Sequence, residues 1–165
     1  MEKGIERILA KTIELEEKVG ALYRLFAGLF PEDRGFWNSL ADEEARHASI
    51  ITRAGESLIE EGNFPLAALD PNLENIKSKI AEVTDTIAQF QRAQLTRVDA
   101  LIRALEIEVG SSEFFFQFAL DLPFKSPAHD MLRTMTSENK NHITKILHRV
   151  KSFRLYVFEP RTDYP

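Results

Sequence analysis

Two short patterns of chemistry-bearing residues occur in this chain, and each occurs twice in the same order. Glu16 is followed two helical turns later by Tyr23, and Glu44 is followed one turn later by His47. In the second half Glu108 precedes Phe115, and Asn139 precedes His142, at the same spacings. One constant shift carries Leu9, Thr12, Glu16, Val19, Tyr23, Phe26 and Phe30 onto Leu101, Ala104, Glu108, Ser111, Phe115, Phe118 and Leu122. A slightly longer shift carries Trp37, Leu40, Glu44, His47 and Ile51 onto Leu132, Met135, Asn139, His142 and Ile146. A helical hairpin used twice, the second time with a longer turn, accounts for both shifts. All four rows keep three–four spacing, so their ionisable residues fall on apolar, core-facing sides of helices.

Four such rows packed together would aim carboxylates and imidazoles at one centre, the way a helix bundle builds a two-metal site. A buried, unpaired carboxylate is costly, and three of them together repel. A divalent cation held by carboxylate oxygens and imidazole nitrogens would compensate. Taken singly, each feature has a bland explanation. Glu-x-x-His arises by chance on helices, core histidines are more often structural, and Glu–Tyr pairs two turns apart can be plain hydrogen bonds. Only the repetition lifts the pattern above these. Acids outside the rows, among them Glu14, Glu17, Asp42, Glu43 and Glu138, are expected to sit on outer faces.

The same periodicities predict the elements. A first helix runs over about 2–30 and is stopped by Pro31, which lacks an amide donor. A second covers about 32–61, with Gly62, Asn63 and Pro65 as its stop. The short connection makes the two an antiparallel pair. Residues 64–94 begin as a loop and become helical after Pro71; so long a connection is expected to cross the bundle. Thr96 and Asp99 form a variant capping box for a third helix to about 122. Ser126 as N-cap and Pro127 at the first helical position open a fourth. The expected organisation is one domain over 1–152, with a crossover at about 62–95 and a tail at 153–165 that has no helical period.

Composition excludes several classes. The net charge of -5 argues against unspecific binding to nucleic acid or anionic membrane. The basic tract Lys145, His148, Arg149, Lys151 and Arg154 is expected to complement a helix C-terminus. There is no cysteine, hence no disulfide, thiolate nucleophile, iron–sulfur cluster or thiolate zinc site. The opening "MEKGIERILAKTIELEEK" does not read as a signal peptide, and no apolar run is long enough to span a bilayer. A cytoplasmic location is the default expectation.

At this point a resemblance is visible. "ELEEKVGALYRLFA", "FWNSLADEEARHASI", "LEIEVGSSEFFFQFA" and "MLRTMTSENKNHITKIL" resemble the four site-bearing helices of the rubrerythrin branch of the ferritin-like superfamily. The resemblance implies an all-α, ferritin-like four-helix bundle with a long crossover between helices two and three. It implies Glu16 and Glu108 as terminal carboxylates, His47 and His142 as nitrogen ligands, and Glu44 as a bridging carboxylate. Tyr23, the one residue it gives a catalytic role, would hydrogen-bond a metal ligand. The implied cofactor is a divalent metal pair, iron first, with manganese or zinc as alternatives. The implied activity is reduction of peroxide or oxygen, by a homodimer. Three positions depart from the family. Asn139 stands where a second bridging glutamate is usual, leaving only a neutral amide oxygen as a ligand there. Phe115 replaces a frequent tyrosine that would serve Glu108. Ser111 replaces a further acid. The cysteine-bound iron domain of rubrerythrins is also missing, so electrons would come from an outside donor. The alternative is a non-catalytic member with one structural metal or a degenerate site, acting by dimerisation or partner binding.

Overall fold

The computed structural model of the chain describes residues 2–62, 73–110 and 126–157; within them the side chains of 2–3, Thr136, Asn139, Lys140 and 154–157 are not described. The described residues are helical, without strand. Helix α1 is Glu2–Leu29. A single 3-10 turn, Pro31–Asp33, leads into α2, Arg34–Glu60. Helix α3 is Leu73–Arg92, α4 is Arg97–Gly110 and α5 is Pro127–Val157.

The stops follow the sequence chemistry. Gly62 closes α2 with φ of 68°, where a Cβ would be strained, and its amide bonds the Ile59 carbonyl at 3.0 Å. The Thr96 amide donates to Asp99 Oδ2 at 2.8 Å and the Asp99 amide to Thr96 Oγ1 at 3.2 Å, a reciprocal cap on α4. Ser126 Oγ accepts the His129 amide at 3.3 Å at the head of α5. One expectation is corrected: 153–157, read as aperiodic tail, continue α5 to Val157. The stretch 111–125, expected to complete the third helix, lies outside the described residues.

Side-chain pairs fix the polarity. Arg24 near the end of α1 meets Asn38 and Asp42 near the start of α2, so the two run antiparallel. Arg46 and His47 of α2 meet Glu138, while Glu43, one turn earlier, meets His142 and Lys145, so α5 runs antiparallel to α2. Phe90, near the end of α3, packs on Phe26 and Phe30 near the end of α1, with centroids 4.6 and 6.4 Å away. Helix α3 is therefore parallel to α1. Lys79 Nζ lies 3.1 Å from where a Cβ on Gly110 would stand, so α4 returns antiparallel to α3.

The apolar core is in two parts. One is built on Val19, Tyr23, Phe26, Trp37, Leu40, Phe90, Leu101, Ala104 and Ile146. The other joins Leu9, Ile51, Ala54, Leu58, Leu132 and Met135. Along α2 and α5 the two parts are separated by Glu44 and His47 and by His142, and along α1 Glu16 lies next to the change from one part to the other, between Ile13 and Leu15. The polar row positions therefore form one layer across the helices, between two apolar blocks.

A second buried acid ties the elements at one end. Asp33 sits at the N-cap of α2, yet its side chain makes no capping bond. It accepts Arg97 Nε at 2.7 Å and Arg97 Nη2 at 2.9 Å from α4, and Arg149 Nε at 3.0 Å from α5. The basic tract is thus corrected in part: the partly exposed Arg149 and Lys145 reach over to pair with Asp33 and Glu43 instead of serving the α5 terminus. Burial alone would raise the Asp33 carboxyl, but the hydrogen bonds from Arg97 and Arg149 more than offset it and hold it low. The sign follows: this stabilisation is complete above the ordinary aspartate range and is lost as pH falls through the lowered folded value. Asp33→Asn is expected to cost about 1–3 kcal/mol near pH 7, less than a fully buried pair because both arginines are partly exposed. The difference in melting temperature from wild type should shrink as pH is taken well below 4, about the unfolded aspartate value. A constant difference across that range would contradict the assignment.

Candidate metal centre

Each row residue reaches the central layer for a local reason. Glu16 and Glu108 follow turns of small or aliphatic residues that face the core, so the helix carries their carboxylates inward with the apolar stripe. Gly20 lets α1 approach α2 closely beside the site: a Cβ there would stand 3.3 Å from Glu44 Cβ. Glu16, Glu44, His47, Glu108 and His142 are all buried, none more than 6 % exposed.

They form two triads that share one member. Glu16, Glu44 and His47 each offer a ligand atom within 4.8 Å of the others, and so do Glu44, Glu108 and His142. Glu44 faces both imidazoles. Its Oε2 is 3.3 Å from His47 Nδ1, and its Oε1 is 3.1 Å from His142 Nδ1. Glu16 Oε2 stands 3.5 Å from His47 Nδ1, and Glu108 Oε1 stands 3.4 Å from His142 Nδ1. The two rings stack with centroids 5.3 Å apart. Glu44 Oε1 and His142 Nδ1 are close, yet neither has a hydrogen-bond partner of acceptable geometry. Two buried polar atoms aimed at common space without a bond between them suit a bound cation, and a set of carboxylate oxygens and imidazole nitrogens suits iron, manganese or zinc.

The protons of the metal-free layer fit the same picture. Burial pushes Glu16 up to about 8, with the Glu44 charge adding to it and His47 opposing. Burial also raises Glu108. For Glu44 burial is outweighed by the adjoining His142 and His47 imidazoles, which hold it far below the carboxylate range. Burial would lower both imidazoles, but Glu16 and Glu44 lift His47 to about 10, and Glu108 and Glu44 lift His142 to about 11. Without metal the layer thus balances its charge with protons.

Three features lay beyond the sequence reading, and for a fourth, the hydrogen bond expected from Tyr23 to a ligand, only the identity of that ligand did. Glu43, expected outside, is buried, and His142 Nε2 donates to its Oε2 at 2.6 Å. Glu138, also expected outside, takes His47 Nε2 at 3.2 Å. Lys145 closes on both oxygens of Glu43 at 2.6 and 2.8 Å. The Tyr23 hydroxyl donates to Glu108, so the hydroxyl partner of Glu108 comes from the opposite hairpin and not from position 115. A signal for the first two was present. The shift that superposes Glu44 and His47 on Asn139 and His142 also carries Glu43 onto Glu138. Each outer acid serves the histidine of the other hairpin, which a repeat read one half at a time cannot reveal. Phe115, Ser111 and the side chain of Asn139 lie outside the described residues.

Compared with known proteins, the chain matches no family model, no curated protein and no solved structure.

Between pH 5 and 8 the folded metal-free chain holds more protons on Glu16, His47 and His142 than the unfolded chain does. A state that binds extra protons is stabilised as pH falls. Chelator-treated protein should therefore melt several degrees higher at pH 5.5 than at pH 8, and Glu16→Gln should flatten that slope. A melting temperature that rises with pH over this range would contradict the proton-balanced layer.

Proposed function

We propose that the chain is a rubrerythrin-like member of the ferritin-like superfamily, which binds a pair of divalent ions and reduces peroxide or oxygen with electrons from an external donor. One observation carries the proposal: two buried Glu–Glu–His triads share Glu44, which turns one oxygen to each imidazole. The helix order supports the ferritin-like reading. Helices α1 and α5 run one way and α2 and α4 the other, as in bundles whose two hairpins are joined by a long crossover. Helix α3 is the element that makes that connection.

Glu16 and His47 would hold one ion, Glu108 and His142 the other, and Glu44 would bridge them. Bound there, a redox-active iron or manganese pair would supply the chemistry for the two-electron, two-proton reduction of hydrogen peroxide to two waters, an external donor restoring the electrons. The chain's own residues position and protect. The apolar blocks on either side exclude water from the layer. Tyr23 keeps its hydroxyl proton on Glu108 and so fixes that carboxylate's rotamer. Glu43 and Glu138 accept the outer imidazole protons, leaving each Nδ1 lone pair for metal.

A non-catalytic reading, with one structural zinc or none, is favoured by a single residue: Asn139 stands where the repeat would place a second bridging acid. One experiment separates the two. Protein purified from anaerobic, iron-replete cells should contain close to two irons per chain and be oxidised by stoichiometric peroxide in a single turnover. One zinc or no metal would favour the structural reading. Removing the metals should lower the melting temperature by about 5–10 °C, as expected for loss of a native-state ligand held near a hundred times its dissociation constant. Glu44→Gln should cost about 100-fold or more in metal affinity. Asn139→Glu should tighten binding of the second ion. If both substitutions leave metal content unchanged, there is no metal centre in this layer.

A further inference from the structure

The sequence repeat would make the two triads equivalent, but their surroundings are not. At His142 the outer nitrogen donates to Glu43 at 2.6 Å, and Glu43 is itself fixed by Lys145 at 2.6 and 2.8 Å and by Ser39 Oγ at 3.2 Å. The Glu43 side chain is only 10 % exposed. At His47 the outer nitrogen meets Glu138 at 3.2 Å. Glu138 is 28 % exposed, and among the described residues the Lys/Arg side chain that pairs with it, Arg46, is 3.5 Å away and half-exposed. The carboxylates differ in the same sense: Tyr23 orients Glu108 from within the core.

A ring that binds metal through Nδ1 must keep its proton on Nε2, and an acceptor fixed there sets both tautomer and ring angle before the ion arrives. A preorganised site loses less freedom on binding, so it binds more tightly. Because Lys145 neutralises Glu43, what Glu43 supplies is position more than charge. We infer that the Glu44–Glu108–His142 position takes up a metal ion before the Glu16–Glu44–His47 position, and that Glu43 is the residue that positions His142 for it. This rests on the two-metal reading above. Both residues that prepare the favoured position, Tyr23 and Glu43, come from the first hairpin, whereas its own ligands Glu108 and His142 come from the second. The first hairpin therefore acts on the second hairpin's ion.

The test is a titration of metal-free full-length protein with zinc(II) alone, followed through the imidazole nitrogens by nuclear magnetic resonance. The His142 Nδ1 signal should complete its shift within the first equivalent, and His47 should move between the first and the second. In Glu43→Ala the order should be lost, with the first-step affinity falling about 10–100-fold. Glu43→Gln keeps an acceptor and should keep the order, as should Glu138→Ala. Lys145→Ala, at an exposed position that does not endanger folding, should narrow the gap between the steps by freeing Glu43. Parallel movement of the two imidazoles in wild type, or His47 moving first, overturns the order while leaving a metal pair in place. An unchanged order in Glu43→Ala, or an unchanged gap between the two steps in Lys145→Ala if the first variant does not fold, overturns the role of Glu43. If neither imidazole responds, the metal centre falls, and this inference with it.

Discussion

The structure depends on keeping three carboxylates and two imidazoles in one buried layer. Such a layer cannot persist as bare charge, because each ionised group has lost its water and the like charges repel. The chain meets the difficulty by alternation: every inward acid faces an imidazole, and every imidazole has an acid at each end. That arrangement needs α1, α2, α4 and α5 at once, since no single helix carries both partners of the cross-hairpin contacts. The same layer divides the apolar core, so the fold is organised around the groups that are hardest to bury.

Holding the layer is a matter of fixing helix ends and spacings. Asp33 joins the start of α2 to the start of α4 and the last third of α5, and so sets the level at which α5 presents His142. The aromatic cluster of Tyr23, Phe26, Trp37 and Phe90 does the same for α1, α2 and α3. Buried acids thus have two separate duties here. Asp33 is paired with guanidinium groups and serves the architecture. Glu16, Glu44 and Glu108 have imidazole partners with ligand atoms close together, the arrangement on which the proposed metal pair rests.

Much of this was legible in the sequence. Three–four spacing placed Glu16, Glu44, His47, Glu108 and His142 in core rows, because a helical period converts spacing directly into a shared face. Pro31, Gly62, Thr96 and Ser126 marked helix ends through backbone chemistry that operates locally. What stayed hidden depends on contacts between distant segments. Glu43 and Glu138 lie one residue off the core rows, and a period assigns them outward; their inward turn exists only because the opposite hairpin presents a histidine there. Arg149 looked like a helix-end charge because its partner, Asp33, is far away in sequence. The continuation of α5 to Val157 was missed because an aromatic stretch gives little period of its own, although Phe153 finds a partner under the Arg97 guanidinium.

The central claim is that Glu44 stands between two metal positions. Anomalous diffraction from crystals of the iron- or manganese-loaded protein tests it directly. Two peaks about 3.5–4 Å apart are expected, one beside His47 and one beside His142, with a Glu44 oxygen on each. A single peak, or peaks away from Glu44, would contradict it.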